Sequence, residues 1–242
     1  MKFRILDKLI EKIAKRLWYD GASGSWEAIF SLLEKHKGST LLDFGCGDGS
    51  STMLVAAHVN ASKVIGVDLD DEALKKAREK GILTYKADLN EKLPLDDECV
   101  DIVFANQVIE HLINVDNFVS EIYRVLRRGG CVVICTENLA SRHNIFALLL
   151  GNQPYSGPYV STRYVIGHHP LHPRINGDKG GDPYLKHNTV LAYRALKRIF
   201  EVYGFKVEKI IGSGYPRILY KFDPAHAHFI TLKARKLPRA RA

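Results

Sequence analysis

Long apolar runs are missing from this chain of 242 residues. None approaches the ~20 residues that a helix needs to span a bilayer, which excludes a membrane-spanning helix. Cysteine is scarce. Cys46, Cys99, Cys131 and Cys135 lack the close pairs of a zinc site and suggest no secreted disulfide framework, so a reducing, cytoplasmic setting is expected. The first residues are interrupted by charge every few positions, unlike a secretory signal. Internal repeats are absent too.

The net charge of +8 is also missing from most of the chain. Six Lys and Arg stand in residues 1–16 against Asp7 and Glu11, and five stand in residues 233–242 with no acid. The body between is close to neutral, so the positive excess belongs to the two ends. With 46% hydrophobic residues the chain can bury a substantial core, and one α/β domain with insertions is expected.

Residues 2–18, KFRILDKLIEKIAKRLW, space Phe3, Leu6, Leu9, Ile10, Ile13 and Leu17 as one apolar helical stripe opposite Lys and Arg. Three roles fit such a helix: a lid over a cleft, a contact with an anionic membrane, or a contact with RNA. A second helix is predicted from Trp26 to Lys35.

From Ser39 to Thr136 short apolar strands alternate with helical segments. TLLDF, KVIGVDL, ILTYKAD, VDIVFA and CVVICT read as strands, with helices at Ser51–His58, Asp71–Lys80 and Val115–Leu126. Strands of that kind separated by helices imply a parallel sheet covered on both faces. Arg127–Gly130, RRGG, reads as a helix stop. Ser141–Leu150 reads as a helix, and Gly151–Asn188 has no period. VLAYRALKRIFEVYGF, KVEKIIG and HFITLKARK then complete the pattern, and KARKLPRARA reads as a solvated tail.

Gly45, Gly47 and Gly49 follow the first strand and precede a helix. A turn of this composition lets the backbone approach a ligand where a β-carbon would intrude. The dinucleotide fingerprint G-x-G-x-x-G needs glycine at position 50, and the chain has Ser50. Asp68 ends the second strand, where a carboxylate can accept from both ribose hydroxyls of any adenosine compound. Asp88 closes the third strand, and Asn106 stands at the end of the fourth.

In this order, with the run LPLDDECVDIVFANQVIEHL…EIYRVLRRGG, these residues resemble the class I S-adenosylmethionine-dependent methyltransferases, in particular their small-molecule, ubiquinone-biosynthesis-like branch. The resemblance implies a doubly wound, Rossmann-like seven-stranded sheet, mostly parallel with an antiparallel last strand. It implies that Asp43, Gly45 and Gly47 cradle the methionine part of S-adenosylmethionine and that Asp68 binds its ribose. By the same carry-over Leu69 packs on adenine, Asp88 and the Leu89 amide read the adenine edge, and Asn106 touches the methionine moiety through its backbone.

His111, just past the fourth strand, reads either as the general base for an acceptor that must lose a proton or as a residue that packs on the fold or the cofactor. Some relatives bind a divalent metal through E-x-x-E-H at this place. Gln107 replaces the first Glu ahead of Glu110 and His111, so no metal is expected. His168, His169 and His172 form a second histidine group, and Tyr155, Tyr159 and Tyr164 are candidates to line an acceptor pocket.

The expected organisation is an N-terminal helical segment or lid at 1–38, a cofactor core at 39–137, a cap at 138–188, completion of the sheet at 189–234 and a basic tail at 235–242. The expected activity is methyl transfer to a small-molecule or lipid-like acceptor, at oxygen or nitrogen rather than carbon. The rival readings are a catalytically inactive S-adenosylmethionine-binding partner and an RNA methyltransferase. An aminopropyltransferase shares the fold without support from an acidic polyamine site, a NAD-dependent oxidoreductase is disfavoured by Ser50, and no DNA contact is expected.

Overall fold

A computed structural model describes residues 23–160, 166–167 and 186–237. Seven strands form one sheet: β1 (Thr40–Phe44), β2 (Lys63–Asp68), β3 (Leu83–Lys86), β4 (Val100–Asn106), β5 (Leu126–Glu137), β6 (Phe205–Ser213) and β7 (Phe229–Lys236). Their order is β3-β2-β1-β4-β5-β7-β6. Every neighbouring pair is parallel except the two that β7 makes, with β5 and with β6. This is the sheet that the family resemblance implies.

The helices are α1 (residues 23–32), α2 (Ser50–Val59), α3 (Asp71–Glu79), α4 (Val115–Val125), α5 (Arg142–Leu149), α6 (Tyr193–Val202) and α7 (Arg217–Phe222). Alternation along the central strands sends successive side chains to opposite faces. Leu41, Phe104 and Val133 meet Ile29 and Leu32 of α1 and Val55 and Val59 of α2. Leu42, Phe44, Val103 and Ile134 meet Phe118 and Ile122 of α4 and Leu196 and Phe200 of α6. With both faces covered, the inner strands can be apolar throughout. All five residues of β1 are buried.

Strand order reverses at β1, which lies between β2 and β4. The loops leaving the carboxyl ends of β1, β2 and β4 diverge there, and doubly wound sheets open a ligand crevice at this point.

Two sequence expectations are corrected. RRGG does not stop a helix: α4 ends at Val125, and β5 already begins at Leu126. Leu126 pairs with Val100 but Cys131 pairs with Ile102, so the intervening residues bulge out of register. Gly129 takes φ +82, and a β-carbon on Gly130 would lie 2.7 Å from the Asp101 carbonyl oxygen. The glycines serve the bulge.

The basic tail also begins later than expected, because β7 runs to Lys236. Lys233 and Lys236 are buried, not solvated. Lys233 pairs with Glu34 and Glu208, while the Lys236 ammonium donates to the carbonyls of Tyr123 and Leu126 and lies 3.1 Å from Glu98. A buried ammonium is tolerated when its protons are taken up in this way.

The N-terminal stripe, most of the basic tail, and His168, His169, His172 and Tyr164 lie outside the described residues.

Candidate active site

A cavity of about 740 Å³ opens at the carboxyl edge of β1, β2 and β4, within the usual range for a small-molecule site. Gly45, Gly47, Asp68, Leu69, Asp88 and Leu89 line it, as do Gln107 and His111. Six of the nine candidate residues read from the cofactor motifs and the base position are cofactor candidates that reach this wall, and His111 joins them.

The glycine turn is left-handed at Gly45, Gly47 and Gly49, with φ of +73, +51 and +78. The reasons for glycine differ among the three. A β-carbon on Gly45 would come within 2.6 Å of Val108, and one on Gly49 within 2.4 Å of Ile82. Those two glycines make room for the protein itself, which corrects the expectation that all three make room for a ligand. At Gly47 no atom lies within 4 Å of that position. This residue presents open backbone to the cleft. Lys80 holds the turn from outside, its ammonium donating to the Asp48 carbonyl, the Asp48 carboxylate and the Ser50 hydroxyl.

Asp68 fixes the turn from β2. One carboxylate oxygen accepts the Gly47 amide at 2.8 Å, and the other accepts the amides of Leu69 and Asp70 at 2.7 and 3.1 Å. Asp70 in turn caps α3 by accepting from Glu72 and Ala73.

Asp43 stands behind this layer and does not line the cavity. It is buried and accepts the Thr52 hydroxyl at 2.6 Å, joining β1 to α2. Burial pushes its carboxyl up to about 7, with the nearby Asp68 charge adding to the effect.

At the far wall, Asp88 accepts the backbone and side-chain N–H groups of Asn90, both at 2.8 Å. Asn90 then accepts the amides of Ile113 and Asn114, each at 2.9 Å, clamping the loop after β3 to the segment after β4. Sequence reading missed Asn90, although its place two residues after Asp88 is the spacing of an Asx turn. Asn106 lies at the end of β4 outside the cavity lining, with its side-chain oxygen buried and lacking a hydrogen-bond donor.

His111 ends a 3-10 turn, Ile109–His111, that follows β4. Its Nδ1 lies 3.2 Å from the carbonyl oxygen of Lys186. A carbonyl only accepts, so in this hydrogen bond Nδ1 is the donor. His187 packs edge-on at 4.9 Å between ring centroids, and its own Nδ1 lies 2.6 Å from the Ser156 carbonyl.

Beneath both rings, Glu110 is fully buried and one of its oxygens accepts the Thr136 hydroxyl at 2.9 Å. Its other oxygen has no hydrogen-bond partner. Burial raises this carboxyl to about 8, and Glu137 adds to the shift. His187 was not singled out in the sequence, because no local pattern connects it to a residue 76 positions earlier. Tyr155 and Tyr159 are not part of the cavity wall. They pack on the rings of His143 and His187 respectively, contacts made within the 138–188 segment itself.

Residues 42–134 match a methyltransferase-domain family. A probable S-adenosylmethionine-dependent methyltransferase of Mycolicibacterium smegmatis is 40% identical over 199 residues, covering 81% of this chain and 63% of that protein. Residues 42–134 thus form a methyltransferase domain of the S-adenosylmethionine-dependent kind.

A trans-aconitate 2-methyltransferase of Rhizobium rhizogenes is 35% identical over 123 residues, covering 49% of this chain and 47% of the relative. The chain thus spans less than two thirds of the length of these curated relatives. The fold is shared with an S-adenosylmethionine-dependent methyltransferase of Mesorhizobium loti, with a TM-score of 0.59 at 20% identity, covering 88% of this chain and 97% of that one.

For this domain the wall described above fits S-adenosylmethionine. Gly47 leaves open backbone, and Asp68 and Asp88 supply acceptors at the two places where an adenosine offers donors.

Proposed function

We propose that this protein transfers a methyl group from S-adenosylmethionine to the oxygen or nitrogen of a small-molecule or lipid-like acceptor, with His111 as the base. When bound, the cofactor supplies a methyl group on a sulfonium, which leaves by in-line displacement. The chain's own work is to hold the two reactants in line and dry, and to accept a proton where the acceptor carries one.

The observation that carries this reading is the place of His111 on the cavity wall, where its Nδ1 lies 3.2 Å from the Lys186 carbonyl oxygen, which orients the ring. Gly47 and Asp68 support cofactor binding at the opposite side, and Leu69 and Leu89 add apolar surface for a base. The trans-aconitate relative supports a small-molecule acceptor. The cytoplasm is the compartment that four free cysteines suit.

The test is transfer of labelled methyl from S-adenosylmethionine into organic-soluble, aqueous small-molecule, RNA and protein fractions of a cell extract. Label in the first two fractions is expected. Label in RNA alone overturns the acceptor class, and no label with intact cofactor binding favours an inactive binding protein.

A second reading has one specific observation behind it. Glu110, His111 and His187 each offer a ligand atom, all within 4.8 Å of one another, next to the partnerless Glu110 oxygen. Two imidazoles and one carboxylate suit zinc or manganese better than magnesium. In that case His111 holds the cation instead of taking a proton. Titration of metal-free protein with Mn²⁺ or Zn²⁺ decides it: one equivalent bound by the protein and lost in His187→Ala supports the cation site.

A further inference from the structure

We propose that Gln107 reads the positive charge of S-adenosylmethionine, its carboxamide oxygen turned to the sulfonium end of the cleft, so that the charged cofactor binds in preference to neutral S-adenosylhomocysteine. This role rests on the cofactor named above and not on the acceptor or on His111.

The backbone singles Gln107 out. Among the described residues three non-glycines have a left-handed φ: Asn60, which caps α2, Glu98, in the turn ahead of β4, and Gln107, at +57. Of these only Gln107 lines the cavity. It directly continues β4, and its amide still donates to the Cys135 carbonyl at 2.8 Å, so no change of chain direction accounts for the left-handed turn. Strain of this kind in a residue with a side chain is held by the surrounding fold and gathers at ligand sites.

The side chain is tied at one end only. Its Nε2 donates to the buried thiol sulfur of Cys135 at 3.8 Å, and among the described residues no group donates to its carboxamide oxygen. The oxygen is the atom left for the cleft.

Charge around the cleft is divided. The carboxylates of the lining, Asp68, Asp70, Asp71, Glu72 and Asp88, all belong to the ends of β2 and β3 or the start of α3, the wall expected to hold adenosine. On the wall from β1 and β4, Gly45, Gly47, Gln107, Val108, His111 and Leu112 bring no carboxylate. Val108 crowds Gly45, so Gln107 stands beside the turn expected to cradle the methionine end. Glu110 does not line the cavity, and burial raises its carboxyl to about 8, so at neutral pH it supplies little charge there. A sulfonium against this wall therefore meets the dipole of a neutral amide. A carboxylate in the same place would compete as a methyl acceptor, whereas a carboxamide oxygen offers partial negative charge with far less nucleophilicity. Once the methyl group has left, the attraction ends and release of the product is eased.

The experiment is calorimetric titration of the whole protein with S-adenosylmethionine and with S-adenosylhomocysteine at about pH 8, for the parent and for Gln107→Glu, Gln107→Leu and Gln107→Gly. EDTA keeps the new carboxylate, three residues ahead of Glu110, from acting through a metal ion. The readout is the ratio of the two affinities, in which losses common to both ligands cancel. Relative to the parent, the ratio is expected to move toward S-adenosylmethionine by at least about tenfold in Gln107→Glu, and toward S-adenosylhomocysteine by about threefold or more in Gln107→Leu and Gln107→Gly. Gln107→Gly also removes the left-handed strain, so its urea midpoint should not fall, and its lost preference cannot be laid to a damaged fold.

Three results overturn the proposal. A ratio unchanged in Gln107→Glu places Gln107 away from the sulfonium. Shifts of the same sign in the Glu and Leu variants assign the effect to the shape of the wall instead of its charge. A parent that binds neither ligand refutes the cofactor itself, and the role of Gln107 falls with it.

Discussion

The carboxylate of Asp68 accepts the amide of Gly47 at 2.8 Å, so the residue expected to bind a ribose also fixes the turn expected to cradle the methionine end of the cofactor. Two proposed contacts on the ligand thus depend on one side chain. Asp68→Ala is expected to weaken S-adenosylhomocysteine binding by about ten- to a hundredfold, the size of one or two charge-assisted hydrogen bonds. Calorimetric titration measures it, and an unchanged affinity removes Asp68 from the site.

Gly45 and Gly47 should respond differently to the same substitution. Gly45→Ala drives a methyl group into Val108 and adds left-handed strain, for a cost of about 1–3 kcal/mol. Gly47→Ala carries the strain alone and should cost about 1 kcal/mol. Adding Val108→Ala to Gly45→Ala should recover part of its loss. Denaturant midpoints of the four proteins test the pattern, and equal losses at both glycines would argue against it.

His111→Asn is expected to lower turnover about 10²- to 10⁴-fold if the acceptor must lose a proton. Cofactor affinity should stay near that of the parent. A variant whose turnover keeps both its rate and its rise with pH through the imidazole range contradicts the base role.

Asp43 makes the protein's stability depend on pH. Its carboxyl titrates near 3.8 when free and near 7 in the fold, where burial disfavours the charge and only Thr52 donates to it. Between those values the unfolded chain binds fewer protons than the folded one, so stability falls as pH rises from about 4 to about 7. The Asp43 contribution levels off above that range, while Glu110, raised to about 8, adds a decline of its own. Asp43→Asn should flatten this decline, as read from urea midpoints across the same range. Asp68 and Cys46 face Asp43 in both proteins and leave the comparison intact.

Lys236 should matter more than its place in a basic tail suggests. Lys236→Met leaves the Tyr123 and Leu126 carbonyls without their donor and should destabilise the protein by about 2–4 kcal/mol. Thermal unfolding checks this, and a loss below about 0.5 kcal/mol would mean that water replaces the ammonium.

The sequence by itself determined the sheet and the cofactor wall. Those features are local: apolar runs set the strands, Asp70 at the head of α3 sets a cap, and Gly45 to Gly49 sit where β1 must turn into α2. Six of the eight cofactor residues that the family resemblance implies line the cleft, near the carboxyl ends of strands that the apolar pattern gives.

Other features required the tertiary structure because their partners are distant in the chain. His187 reaches His111 only through the cap, Lys233 and Lys236 find carboxylates and carbonyls from four other segments, and RRGG becomes a bulge only when Leu126 pairs with Val100. The different duties of three similar glycines were also decided in space. What a missing β-carbon leaves room for depends on the atom opposite: Val108 at Gly45, Ile82 at Gly49, and open cleft at Gly47.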